Sequence, residues 1–173
     1  MWAQRRRETF VARQNDKLSW AQGLGPLGDR DLTIAAAVAY WAEGTKSKRY
    51  RPEERLTFVN SDQDLIRLWL CWLDSIGVGR DRCRFQLHIH ESADIDAALE
   101  FWSRVVQVPV GDFLPVVRKR HNSRTTRKNT GEAYVGCLSV RVLDSAALYR
   151  RVEGTWWAVA SSARLRAQRP RIL

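Results

Sequence analysis

The sequence predicts an α+β domain: an antiparallel β-sheet with helices packed on one of its faces. The first sign is "RCRFQLHIHE", which alternates cleanly. Phe85, Leu87 and Ile89 point one way, and Arg84, Gln86, His88 and His90 the other. A strand buried on one face and free on the other gives this pattern. The second sign is a pair of segments, "NSDQDLIRLWLCWLDSIGVG" and "ADIDAALEFWSRVVQV", with apolar residues at helical spacing. The third is the order of elements, which reads helix, two strands, helix, strand, helix, two strands, helix.

Taken in order, residues 1–28 form a polar, basic N-terminal arm or short helix that ends in the loop "GLGPLGD". Asp29 or Asp31 caps the next helix, which runs to about Glu43 and stops at Gly44. "ERLTFVN" alternates as a strand, with Leu56 and Phe58 on one face. "KRYR" is its expected hairpin partner across "RPEE". Ser61 or Asp62 caps the helix that follows, whose inward positions are Leu65, Leu68, Trp69, Trp72 and Ile76. The second long helix turns Ala98, Phe101, Trp102 and Val105 inward and ends at Pro109 and Gly111. Two strands flank a basic loop in "LPVVRKRHNSRTTRKNTGEAYVGCLSVRVL". A last helix begins at Asp144 or Ser145. The expected domain spans residues 29–160, and residues 161–173 form a basic C-terminal tail.

Composition narrows the function. The 173 residues carry 29 Lys and Arg against 19 Asp and Glu, a net charge of +10. That excess favours a polyanionic partner, most simply nucleic acid, over a protein with an idle charged face. Apolar residues make up 45%, enough for a packed core. Eight tryptophans suggest that some sit at interfaces. Cys71, Cys83 and Cys137 form no CxxC pair and read as reduced, buried or half-buried thiols, with Cys71 a core residue. No apolar run is long enough to span a membrane and "MWAQRRRETF" is no signal peptide, so no membrane partner and a cytoplasmic location are expected. There is no P-loop, GxGxxG or GxSxG, so no nucleotide cofactor is expected.

The basic residues concentrate in "RKRHNSRTTRK". Arg118, Lys119, Arg120, Arg124, Arg127 and Lys128 put six cations into eleven residues with no acid. Arg and Lys neutralise phosphates, and Asn122 and its polar neighbours add hydrogen bonds to backbone or base edges. "KSKRYR" adds Lys46, Lys48, Arg49 and Arg51. Were it a strand paired with "ERLTFVN", these cations would share a sheet with Arg84, Gln86, His88 and His90. The spacing of His88 and His90 could also hold a metal, but no third ligand stands near, and contact with DNA or solvent is favoured. Nucleic acid is therefore the expected partner, and an RNA-binding sheet is disfavoured because the Arg84–His90 face lacks aromatics for stacking.

The helix "LTIAAAVAYWAEGTK" is thin. Ala35, Ala36, Ala39 and Ala42 lie along one face, where small residues allow two helices to cross closely. Such a crossing brings two copies of Glu43 together, in position for the two-metal cleavage of phosphodiesters. The plainer reading packs these alanines under a large neighbour such as Trp69.

"AAVAYWAEG" resembles the motif of the LAGLIDADG homing endonucleases, and "FVNSDQDLIRLWLCWL" resembles the family's strand-then-helix segment. Over residues 30–158 the resemblance implies a LAGLIDADG-like antiparallel sheet saddling the DNA. It implies Mg2+ at Glu43 and Gly44, with Glu43 matching the family's metal-binding acid. It also implies a supporting lysine. Lys46, Lys119 and Lys128 are candidates, and Lys128 is assigned the role. A single motif copy implies a homodimer through the 31–44 helix. The implied function is metal-dependent cleavage of double-stranded DNA. The alternative is a DNA-binding regulator of the same fold without cleavage.

Overall fold

The structure, a computed structural model, describes residues 1–48, 50–119 and 134–168. It is mixed α+β. The helices are α1 Trp2–Leu24, α2 Asp29–Glu43, α3 Gln63–Ser75, α4 Ile95–Val106 and α5 Ala146–Ala167. The strands are β1 Thr57–Asn60, β2 Cys83–His90, β3 Leu114–Lys119 and β4 Cys137–Val142, ordered β1-β4-β2-β3 in one open sheet.

The sheet is not purely antiparallel as expected. β4 pairs antiparallel with β1 and β2, whereas β3 runs parallel to β2. The connection explains the difference. The chain leaves β2, passes through α4 and re-enters at β3, and a helical crossover of this kind returns a strand in the same direction.

Aromatic stacking organises the core. Trp69 of α3 lies 4.9 Å from Phe58 of β1, 5.4 Å from Tyr40 of α2 and 4.9 Å from Trp72, measured between ring centroids. Trp102 of α4 is fully buried and its indole N–H donates to the Val135 carbonyl at 2.8 Å. Burying rings of this size supplies a large share of the apolar driving force. The Asp62 carboxylate caps α3 by accepting from the amides of Asp64 and Leu65. The buried arc of α3 is wider than its spacing predicted. Ile66, Leu70 and Leu73 join Trp69 and Trp72, while Leu65, Leu68 and Ile76 are half-buried. Cys71, expected inside, falls on the solvent stripe with Arg67 and Asp74.

Among the described residues of "KRYR" no hairpin strand forms. Lys48 makes an isolated bridge to Arg51 beside Pro52, which has no amide to give a ladder. The segment is tied down from outside the sheet instead: the Ser47 amide donates to the Tyr149 hydroxyl at 2.9 Å. At the C-terminus, α5 runs on through the residues expected to form a tail, as far as Ala167. The N-terminal arm is a 23-residue helix, and none of its described residues joins the hydrophobic core.

Candidate nucleic-acid interface

The sheet has two unlike faces. Along β2 burial alternates strictly: Cys83, Phe85, Leu87 and Ile89 enter the core, and Arg84, Gln86, His88 and His90 are half-exposed on the other side. Leu138, Val140 and Val142 of β4 and Phe58 of β1 join the core side.

Register then assembles the outer face. Arg141 sits between Thr57 of β1 and Arg84 of β2. Ser139 sits between Val59 and Gln86. Cys137 pairs with His88, which pairs in turn with Val117 of β3. His90 pairs with Lys119 at the end of the sheet. None of the four strands contains an Asp or a Glu.

Local contacts tune these groups. The Arg84 guanidinium donates through Nη1 to the carbonyls of Asp81 and Cys83, both at 2.9 Å. Gln86 donates to the Pro115 carbonyl at 2.9 Å, which holds its amide toward β3. Burial, and then the neighbouring charge of Lys119, hold the pKa of His88 below its ordinary value. The Nε of Arg141 and the Nδ1 of His90 are buried without a hydrogen-bond partner among the described residues. Such orphaned polar atoms are costly unless a further group satisfies them.

Arg141 was missed in the sequence, although "CLSVRV" carries the signal. Leu138, Val140 and Val142 alternate inward just as β2 does, so Arg141 must face outward. The basic segment is only partly visible. Arg118 and Lys119 are exposed at the end of β3. Arg120, Asn122, Arg124, Arg127 and Lys128 lie outside the described residues, so their grouping, and the role assigned to Lys128, are not placed. The flanks of that segment are placed: Lys119 pairs with His90, and Cys137 with His88, at one end of the sheet. Gly136 makes the return possible. Its φ is +69°, and a Cβ there would lie 2.6 Å from the His88 carbonyl oxygen.

The described residues of the second basic group do not join the face through strand register, because none of them lies in a strand. The Lys46 ammonium lies 5.7 Å from the Trp41 ring, which itself stacks on Trp156 of α5 at 5.2 Å. Lys48 lies 5.6 Å from the Tyr50 ring, and Arg51 is exposed. Arg49 is outside the described residues.

The thin helix is only partly available to a second copy. Ala36 is fully buried in its own core, together with Ala37 and Tyr40, so it cannot belong to an interface. Ala35 and Ala39 are half-buried, while Ala42 and Val38 are exposed. Packing explains the difference: α2 lies against both α3 and α5, so its inward arc follows Ala36, Ala37 and Tyr40.

Glu43 is exposed at the tip of α2, close to the β1 edge of the sheet. Gly44 bridges to Phe58, and the Thr45 amide donates to the Thr57 carbonyl at 2.9 Å. Gly44 has a steric reason to be glycine, because an added Cβ would overlap the Tyr40 ring. Among the described residues of one chain, no three His, Cys, Asp or Glu side chains gather into a group that could hold a metal ion.

No protein-family model, no curated protein and no solved structure matches this chain. None of the described helices is long and apolar enough to cross a membrane.

Proposed function

We propose that this chain binds double-stranded DNA on the outer face of its sheet. One observation carries the reading: Arg84 stands directly opposite Arg141 on a face whose strands hold no acid. Like charges directly opposite one another across strands repel. A phosphate between them removes the repulsion. His90 and Lys119 extend the same face, and the basic segment starting at Arg118 leaves from that end. The outward strand positions carry no Phe, Tyr or Trp, which favours a duplex backbone over stacked single-stranded RNA on this face.

The test is the salt dependence of binding to a duplex of about 30 base pairs. Each phosphate contact adds about 0.9 to the log–log slope, so an Arg84→Gln, Arg141→Gln double variant should lower it by about 2. Unchanged slope and affinity would sink the reading.

Cleavage is the second reading, favoured by the position of Glu43 beside the β1 edge of that sheet. It follows the resemblance of "AAVAYWAEG" to the LAGLIDADG motif. It requires a homodimer, crossing at Ala35, Val38, Ala39 and Ala42, to supply a second carboxylate. Incubation with a duplex library and Mg2+, beside Glu43→Gln, decides it. Binding by both proteins with cleavage by neither leaves a DNA-binding regulator.

A further inference from the structure

The helix α1 has no place in the core, yet it is far from featureless. Trp2, Arg6, Phe10, Arg13, Lys17 and Trp20 recur at intervals of three and four residues. At 100° per residue they fall within an arc of about 80°. No acid lies in that arc, and the helix as a whole carries five cations to two acids. Trp2 is 78% exposed, Phe10 62% and Trp20 83%. Rings this exposed on a helix none of whose described residues joins the hydrophobic core mark an interaction surface rather than a folding element. The Arg6 guanidinium lies 5.8 Å from the Trp2 ring, and Trp2, Arg6, Phe10 and Arg13 line one shallow groove.

The mixture decides the partner. A membrane-surface helix separates its cations from its apolar residues, so that the rings can enter the acyl boundary. Here Arg6, Arg13 and Lys17 lie between the rings, and burying the rings in lipid would drag the charges with them. A second copy of α1 would bring the same cations face to face. The rest of the chain is basic too, so docking on its own body gains no charge complementarity. A partner must offer flat apolar surfaces and negative charge in alternation.

We infer that α1 is a binding arm for single-stranded nucleic acid. Bases stack on Trp2, Phe10 and Trp20, and the linking phosphates meet Arg6, Arg13 and Lys17. The rise from Trp2 to Phe10 is about 12 Å and from Phe10 to Trp20 about 15 Å, so the rings act as separate platforms with cations between them. This site is distinct from the duplex face of the sheet.

The experiment uses the full chain with fluorescein-labelled oligo-dT and oligo-U of about 20 nucleotides and a mixed-sequence duplex, read by anisotropy. Vesicles of phosphatidylcholine and phosphatidylglycerol form the lipid arm. The Trp2→Ala, Phe10→Ala, Trp20→Ala variant should lose at least about tenfold in single-strand affinity, because each stacked ring contributes substantially. Its duplex affinity should stay within about twofold of the parent. Arg84→Gln with Arg141→Gln should give the reverse pattern, so the arm and the sheet face fail separately. Trp2→Phe with Trp20→Phe should retain binding, since a ring remains, which separates stacking from a folding defect. Three outcomes overturn the proposal: no binding of either oligonucleotide by the parent protein, full binding by the triple alanine variant, or α1-dependent binding of the vesicles alone. A change of mass in the triple variant by ultracentrifugation would also overturn it, in favour of self-association.

Discussion

Arg84 of β2 and Arg141 of β4 face one another in register on the sheet surface turned away from the core. Two guanidinium groups in that position cost stability in the free protein, of the order of 0.2–1 kcal/mol. Arg141→Gln should therefore leave the free protein at least as stable as the parent at low salt, while weakening duplex binding. Thermal unfolding at low and high salt checks the first half, and the gain should shrink as salt screens the pair. A clear fall in melting temperature would instead make Arg141 a structural residue.

His88 gives a pH signature. Its folded-state pKa lies below the ordinary histidine value, through burial first and Lys119 second. The unfolded chain therefore takes up the proton more readily. The stability contributed by neutral His88 is complete above the ordinary value near 6.5 and is lost as pH falls through the lower folded value. Urea unfolding at several pH values should show this loss, and His88→Gln should flatten it. A phosphate on the same face favours the charged form. Duplex binding should accordingly raise the His88 pKa, as read from its imidazole NMR shifts. An unmoved pKa in the complex would place the DNA elsewhere.

Gly44→Ala tests the packing at the tip of α2. The new Cβ would overlap the Tyr40 ring, which is buried against Trp69 and cannot swing away. Overpacking of this sort costs about 1–3 kcal/mol. Glu43→Gln, one residue earlier and exposed, should leave stability unchanged. Equal stability of both variants by urea unfolding would show that the tip relaxes.

Ser145, at the start of α5, ties the end of β4 to the residue before β1. Its hydroxyl donates to the Val142 carbonyl at 2.8 Å and accepts from the Leu56 amide at 2.9 Å, all in the buried interior. Ser145→Ala leaves the Leu56 amide without an acceptor, at a cost of about 1–3 kcal/mol. Hydrogen exchange should show the loss as faster exchange of the Leu56 amide. Unchanged exchange would show that another group takes over.

The local features were legible because short-range spacing carries them. The sequence alone determined the alternation of β2, with Arg84, Gln86, His88 and His90 on its outer side. It also narrowed the cap of α3 to Ser61 or Asp62, and determined the amphipathic α3 and α4 and the basic charge. Cys71 was misplaced because an apolar neighbourhood in sequence does not say which side of a helix is covered. Ala36 was misplaced because a stripe of small residues looks the same whether it meets a neighbouring helix or a second copy. Tertiary structure decided what depends on pairing between distant segments. It turned β3 parallel to β2 through the α4 crossover, set Arg141 against Arg84, and packed Ala36 into its own core. It also left α1 outside that core. Periodicity reports which residues share a face; only chain topology and register report which faces meet, because those contacts are made between segments that the sequence holds far apart.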